Sequence, residues 1–83
     1  MNFRVYITLE VPIIEKEYEL LVPIDRRIHD LISLLRSNIP ELSENYYKNR
    51  VPNLYNKTTG KLYDMNEIIK DSSIKTGTRL ILI

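Results

Sequence analysis

The 83-residue chain carries 12 lysines and arginines against 11 aspartates and glutamates, a net charge of +1; this argues against a dedicated nucleic-acid binder, which concentrates a basic excess on one face. A chain of this length forms one domain, residues 1–83, that buries only ~60–65% of its unfolded surface, so its stability rests on one small core. Without cysteine it has no disulfide framework, thiolate nucleophile or Cys-ligated zinc, a composition that fits a reducing, cytoplasmic setting.

The apolar runs at 20–24 and 80–83 fall far short of the ~20 residues that span a bilayer, so no direct membrane insertion is expected. Met1 leads into a strand pattern and not into the basic head and apolar segment of a signal peptide. Phe3, Val5, Ile7 and Leu9 alternate with Arg4, Tyr6 and Thr8, which predicts a strand over 3–9 with one buried face. Residues 10–13, with Pro12, form a short connection. Ile14, Tyr18, Leu20 and Val22 then alternate with Glu15, Glu17 and Glu19, a second strand whose carboxylates suit a sheet edge.

Pro23 ends that strand, and Asp25 is the expected N-cap of a helix whose apolar positions Ile28, Leu31, Ile32 and Leu35 follow the i, i+3, i+4, i+7 template. Asn38 and Pro40 close it near residues 37–38. Residues 40–49 read as a polar loop with room for a helical turn. Val51, Leu54 and Tyr55 predict a third strand that Pro52 confines to a bulge or an edge. Asn56 to Gly60 is turn chemistry, followed by a very short strand at 61–63 and a turn or 3₁₀ helix around Met65, Ile68 and Ile69. Thr76-Gly77 announces the final strand, with Leu80 and Leu82 inward and Arg79, Ile81 and Ile83 outward. So apolar a strand belongs in the middle of the sheet beside the first one. The expected class is α+β: a β-grasp with a mixed four- to five-stranded sheet and one main helix on one face.

The same alternation assembles a candidate protein-interaction patch on the face away from the helix: Arg4, Tyr6 and Thr8 from the first strand, Ile81 and Ile83 from the last, and Asn53 and Tyr55 if Leu54 is buried. Other clusters read as structural. Glu15, Glu17 and Glu19 are spaced too widely to hold one cation together, so they form a solvated face. His29, the one imidazole, has no predicted partners for metal or catalytic work. Glu41 and Glu44 interrupt the aromatic-basic group Tyr46, Tyr47, Lys48 and Arg50, so it is not read as a stacking platform for single-stranded nucleic acid. Thr59-Gly60-Lys61 lacks the spacing of a phosphate loop. No catalytic residue, metal or cofactor is expected, nor any pocket of ~300 Å³ or more with convergent polar groups, so the chain is read as no enzyme.

The order of elements, together with Val22-Pro23-Ile24-Asp25, Ile39-Pro40, Thr59-Gly60-Lys61-Leu62 and the stretch from Asp71 to Leu82, resembles ubiquitin-like domains. Among these it is most similar to the small YukD/EsaB proteins of bacterial type VII (ESX-type) secretion. That resemblance implies a cytosolic, non-enzymatic accessory or regulatory protein that contacts secretion-system components, as a monomer or weak homodimer. It also implies that the outer patch corresponds to the surface by which ubiquitin-like domains meet their partners. The alternatives are a ubiquitin-like scaffold or regulator outside secretion, and a conjugated modifier or sulfur carrier. The last is disfavoured by the Leu82-Ile83 ending where those proteins carry Gly-Gly.

Overall fold

A computed structural model describes residues 3–43 and 50–83. The elements are β1 (Arg4–Val11), a 3₁₀ turn (Pro12–Ile14), β2 (Lys16–Pro23), α1 (Ile28–Asn38), α2 (Pro40–Ser43), β3 (Leu54–Asn56), a 3₁₀ turn (Ile69–Asp71) and β4 (Arg79–Leu82). The four strands form one mixed sheet in the order β2-β1-β4-β3, with β1 and β4 parallel at its centre and the other pairs antiparallel. This is the ubiquitin-like α+β fold, with α1 packed on one face of the sheet. The central place of β4 and the edge place of β2 agree with the sequence reading.

Hairpin β1–β2 is longer than the alternation predicts: β1 runs to Val11, and the connection is a 3₁₀ turn closed by Glu15 in the left-handed region at φ 53°. Glu15 therefore leaves the row of strand carboxylates, and only Glu17 and Glu19 remain on β2. The predicted strand at 61–63 shrinks to a single bridge between Tyr55 and Leu62.

The core joins Ile7, Leu9 and Val11 of β1 with Val22, Leu54, Leu80 and Leu82 from the other strands, and with Ile28, Leu31, Ile32 and Leu35 of α1. Ile39, Ile69 and Ile74 join it, as do Leu42 of α2 and the ring of Tyr63. Leu42 and Tyr63 were absent from the sequence-derived core, because neither lies within a periodic run.

The helix does not start as predicted. Arg27 stands at the N-cap with no side-chain cap, and Asp25 is exposed two residues upstream. Long-range backbone pairing takes over capping. Ile69 N–H donates to Arg26 O (2.8 Å), Lys70 N–H donates to Ile24 O (2.9 Å), and Arg27 bridges Ile68. Arg27 itself is thereby held extended. The first helical N–H groups, left without intrahelical acceptors by helix geometry, are taken by Glu67 O from Ile28 and Met65 O from His29, each at 3.0 Å.

At the other end of α1, Ile39 is extended rather than left-handed, and its N–H donates to Leu35 O. The helix ends at Asn38 as predicted, though without the left-handed cap. Residues 44–49, which include Tyr46, Tyr47 and Lys48 of the aromatic-basic group, lie outside the described residues.

α2 is fastened to the start of β2 by a 2.6 Å ion pair between Lys16 and Glu41, and the Tyr18 hydroxyl donates to the other Glu41 oxygen at 3.4 Å. The hydrogen bond from the Lys16 ammonium holds the Glu41 carboxyl below its ordinary range, while desolvation and the Glu41 charge push the Tyr18 phenol up. A lowered folded-state pKa means that the Glu41 contribution is present above the ordinary glutamate pKa of about 4.3 and is lost as pH falls through the lower folded value. Because this pair lies at the surface, the expected effect is small. Thermal melts of Glu41→Gln should lie slightly below wild type at neutral pH and converge with it only at pH values below the lowered Glu41 pKa. Equal separation at both pH values would contradict the pairing.

Candidate functional site

The outer face of the sheet is set by strand parity and by two registers. Odd positions of β1 from Ile7 to Val11 are buried, so Arg4, Tyr6, Thr8 and Glu10 point away from the helix. Hairpin pairing sets Leu21 beside Tyr6, Glu19 beside Thr8 and Glu17 beside Glu10. On the other side of β1, the parallel register sets Arg79 beside Thr8 and Ile81 beside Glu10, and Tyr55 of β3 then lies beside Ile81. The last row is Asn53 with Ile83, joined in both directions by Ile83 N–H to Asn53 O (2.9 Å) and Asn53 N–H to Ile83 O (3.3 Å). Arg50 also donates to Ile83 O at 2.9 Å.

All six sequence-derived patch residues therefore share this face, but in two groups. Ile81, Ile83, Tyr55 and Asn53 cluster at the β4–β3 end. Arg4 and Tyr6 lie at the other end, where Tyr6 stands four strand residues, or ~13 Å, from the row of Ile81. A polar row separates them, Glu19, Thr8 and Arg79, and Glu10, ion-paired with Lys57, stands beside Ile81 itself. The apolar content of the Tyr6 end is larger than expected, because Leu21 (45% exposed) joins Tyr6 (62% exposed) there. The signal for Leu21 was available, since the period that turns Glu17 and Glu19 outward turns Leu21 outward too.

The face offers two apolar ends bracketing a charged middle, and no arrangement of acid, base and nucleophile. His29 lies elsewhere, exposed on α1 with its Nδ1 3.2 Å from Asp30. Among the described residues no three His, Cys, Asp or Glu side chains come together as a metal site.

Concavities are nevertheless larger than the sequence reading expects. A groove of about 390 Å³ lies between β2 and α1, lined by five leucines with Val22, Ile39, Arg4 and Arg26 among the others. A second hollow of about 380 Å³ gathers hydroxyls of Thr58, Thr59, Ser73, Thr76 and Thr78 with Lys75 and Arg79. Its lining includes neither a carboxylate nor an imidazole.

Among the described residues no helix is long and apolar enough to cross a membrane. No family model matches the chain, and no curated protein matches it. Solved structures do match. One, reporting molecular mimicry of SUMO that promotes DNA repair, aligns over 100% of this chain and 94% of its own with a TM-score of 0.77 and 14% identity. The ubiquitin-like domain of Plasmodium falciparum Dsk2 aligns over 96% and 99% with a TM-score of 0.65 and 14% identity. A chain of the MycP5-free ESX-5 inner membrane complex aligns over 99% of this chain but only 21% of its own, with a TM-score of 0.66 and 13% identity. At such identities the likeness is one of fold: the chain is built as a ubiquitin-like domain.

Proposed function

We propose that this chain is a non-enzymatic protein-interaction module that meets its partner through the outer face of the sheet. The observation that carries this reading is the pair of apolar ends, Tyr6 with Leu21 and Ile81 with Tyr55 and Ile83, on the face opposite the helix. Aromatic and aliphatic anchors around a polar belt have the composition of an interface centre. In its finer form the proposal places the chain in the cytoplasm as an accessory or regulatory component of a bacterial type VII secretion system. The resemblance to the YukD/EsaB family supports this, as does the likeness in fold to part of an ESX-5 complex chain. Its partners are then proteins of that machinery, with no role for nucleic acid.

Affinity capture from the native cell with wild-type, Ile81→Asp and Tyr6→Asp proteins tests both levels. A carboxylate placed in a desolvated contact costs several kcal/mol, so Ile81→Asp should weaken partner capture at least about thirtyfold (~2 kcal/mol). On a half-exposed strand position it should cost the fold only about 1 kcal/mol. Tyr6→Asp should do the same if one partner spans both ends. Identical retained proteins in all three samples would reject the face; retention of proteins unrelated to secretion, lost with Ile81→Asp, would keep the face and reject the secretion role.

A further inference from the structure

The hydroxyl-lined hollow lies at the end of the sheet where β3 finishes and β4 begins, and it shares only Arg79 with the outer face. Two turns build it. Antiparallel pairing sets Asn56 beside Leu80, and Lys57 N–H donates to Arg79 O at 2.8 Å, so the turn at 56–60 and the turn at 75–78 lie next to each other. Each turn is held by side-chain hydrogen bonds. Asn56 Oδ1 accepts the N–H groups of Thr58 and Thr59, and Thr78 Oγ1 accepts Lys75 N–H at 2.9 Å while Thr78 N–H donates to Lys75 O at 3.0 Å. Gly77, at φ 92°, carries the second turn round, and its N–H is fixed to Tyr6 O at 2.9 Å. On the core side, Asn56 Nδ2, the Tyr63 hydroxyl and Ser73 Oγ form a chain of hydrogen bonds that ties one turn to the other. The walls are thus set before any ligand arrives, which lowers the ordering cost of binding.

The charge of the hollow is one-sided. Lys75 and Arg79 are its charged side chains, and no carboxylate lines it. Among the described residues neither cation has an ion-pair partner, and the hydroxyls of Thr58 and Thr76 hold no hydrogen bond. Glu10, the one carboxylate of β1, is already paired with Lys57, and Glu19 lies one strand further away, beyond Thr8. A guanidinium and an ammonium on one concavity, flanked by hydroxyl donors, suit a tetrahedral anion: the planar fork serves two oxygens, and the ammonium and hydroxyls serve the others. The volume of about 380 Å³ leaves room beside a phosphate for the group that carries it. That group is small and polar, because the lining has no aromatic or large apolar side chain on which a nucleotide base could stack.

We propose that this hollow is a binding site for a phosphate monoester. The phosphate sits between Lys75 and Arg79 and takes hydrogen bonds from Thr58 and Thr76, while its carrier, a small polyol or a phosphorylated serine side chain, occupies the remaining space. Such a site adds to the outer-face contact and does not depend on it.

The test titrates three probes into the ¹⁵N-labelled protein: glycerol 3-phosphate, a short phosphoserine peptide with glycine and alanine flanks, and the same peptide unphosphorylated. Ionic strength is held constant, so that screening of surface charge is the same throughout. The amide signals of Thr58, Thr59, Thr76 and Gly77 should move along one saturable curve with both phosphorylated probes, half-saturated at about 1 mM or below, and should stay in place with the third. Whichever phosphorylated probe binds more tightly supports the site and identifies the carrier. Lys75 and Arg79 are exposed, so Lys75→Gln and Arg79→Gln should leave the core intact and each weaken binding at least about fivefold. Arg26→Gln removes the same charge from the β2–α1 groove and should leave affinity within about twofold. No saturable shift in wild type, shifts spread over lysines and arginines of the whole surface, or equal losses from Arg26→Gln and Lys75→Gln would each overturn the proposal. The wild-type shift map decides the matter whether or not the variants fold, and with probes this small its outcome is independent of whether a protein partner meets Ile81.

Discussion

Leu80→Ala should lower the melting temperature by roughly 10–30 °C, leaving a protein close to its unfolding threshold at ambient temperature. Leu80 is fully buried in the central strand, with Leu9 of β1 beside it on one side and Asn56 of β3 on the other. Truncating a buried leucine costs its transfer free energy and leaves a cavity, together about 2–5 kcal/mol. A domain of this size has a total stability of roughly 4–12 kcal/mol on the usual per-residue scale. The loss is therefore a large fraction of the whole. The site has little room to collapse, because it is flanked by hydrogen-bonded strands whose spacing is held by the backbone. Ile81→Ala, one residue on and facing outward, should cost about 1 kcal/mol or less. Circular-dichroism melts of the two variants side by side check this; comparable losses would mean that the two faces of β4 are not as described.

Asn56→Ala should cost about 2 kcal/mol, or roughly 8–16 °C in melting temperature, which is unusual for a turn residue. The Asn56 side chain serves two functions. Its Oδ1 accepts the N–H groups of Thr58 (2.9 Å) and Thr59 (3.1 Å), which shapes the turn, and Gly60 completes it at φ 76° with its N–H donating to Asn56 O. Its Nδ2 donates to the hydroxyl of buried Tyr63 at 3.0 Å, and that hydroxyl lies 2.8 Å from Ser73 Oγ. Removing the amide therefore opens the turn and takes a partner from a phenol inside the core. The phenol keeps Ser73, so the loss there is that of one hydrogen bond, ~0.5–1.5 kcal/mol, and the two opened turn bonds supply the rest. Tyr63→Phe separates the two effects, since it removes the phenol and leaves the turn intact. In a double-mutant cycle the Asn56–Tyr63 pair should show coupling, whereas purely additive losses would assign the whole cost to the turn.

Much of this molecule was legible in its residues, element by element. The alternation in β1 and β4 separated Leu80 and Leu82 from Ile81 and Ile83, and the spacing of Ile28, Leu31, Ile32 and Leu35 identified the buried face of α1. Local rules failed where distant backbone intervened. Asp25 is a good capping residue, yet the carbonyls of Met65 and Glu67 receive the first helical N–H groups instead, and pairing with residues 68–70 fixes the chain from Ile24 to Arg27. Tyr63 and Leu42 join the core from segments too short to show a period.

The sequence by itself determined which side of each strand faces the helix, because side-chain direction repeats every two residues whatever the partner strand is. It also determined that the most apolar strands lie at the centre, because their burial requires cover on both sides. Only the tertiary structure decided how far the strands slide along one another. A shift of two residues keeps every side chain on its own face, so the alternation is blind to it. The observed register sets Ile81 beside Glu10 and not beside Tyr6, which divides the expected patch into two ends. The β2–α1 groove likewise depends on how α1 packs over the sheet edge, a placement that no local pattern in either segment records.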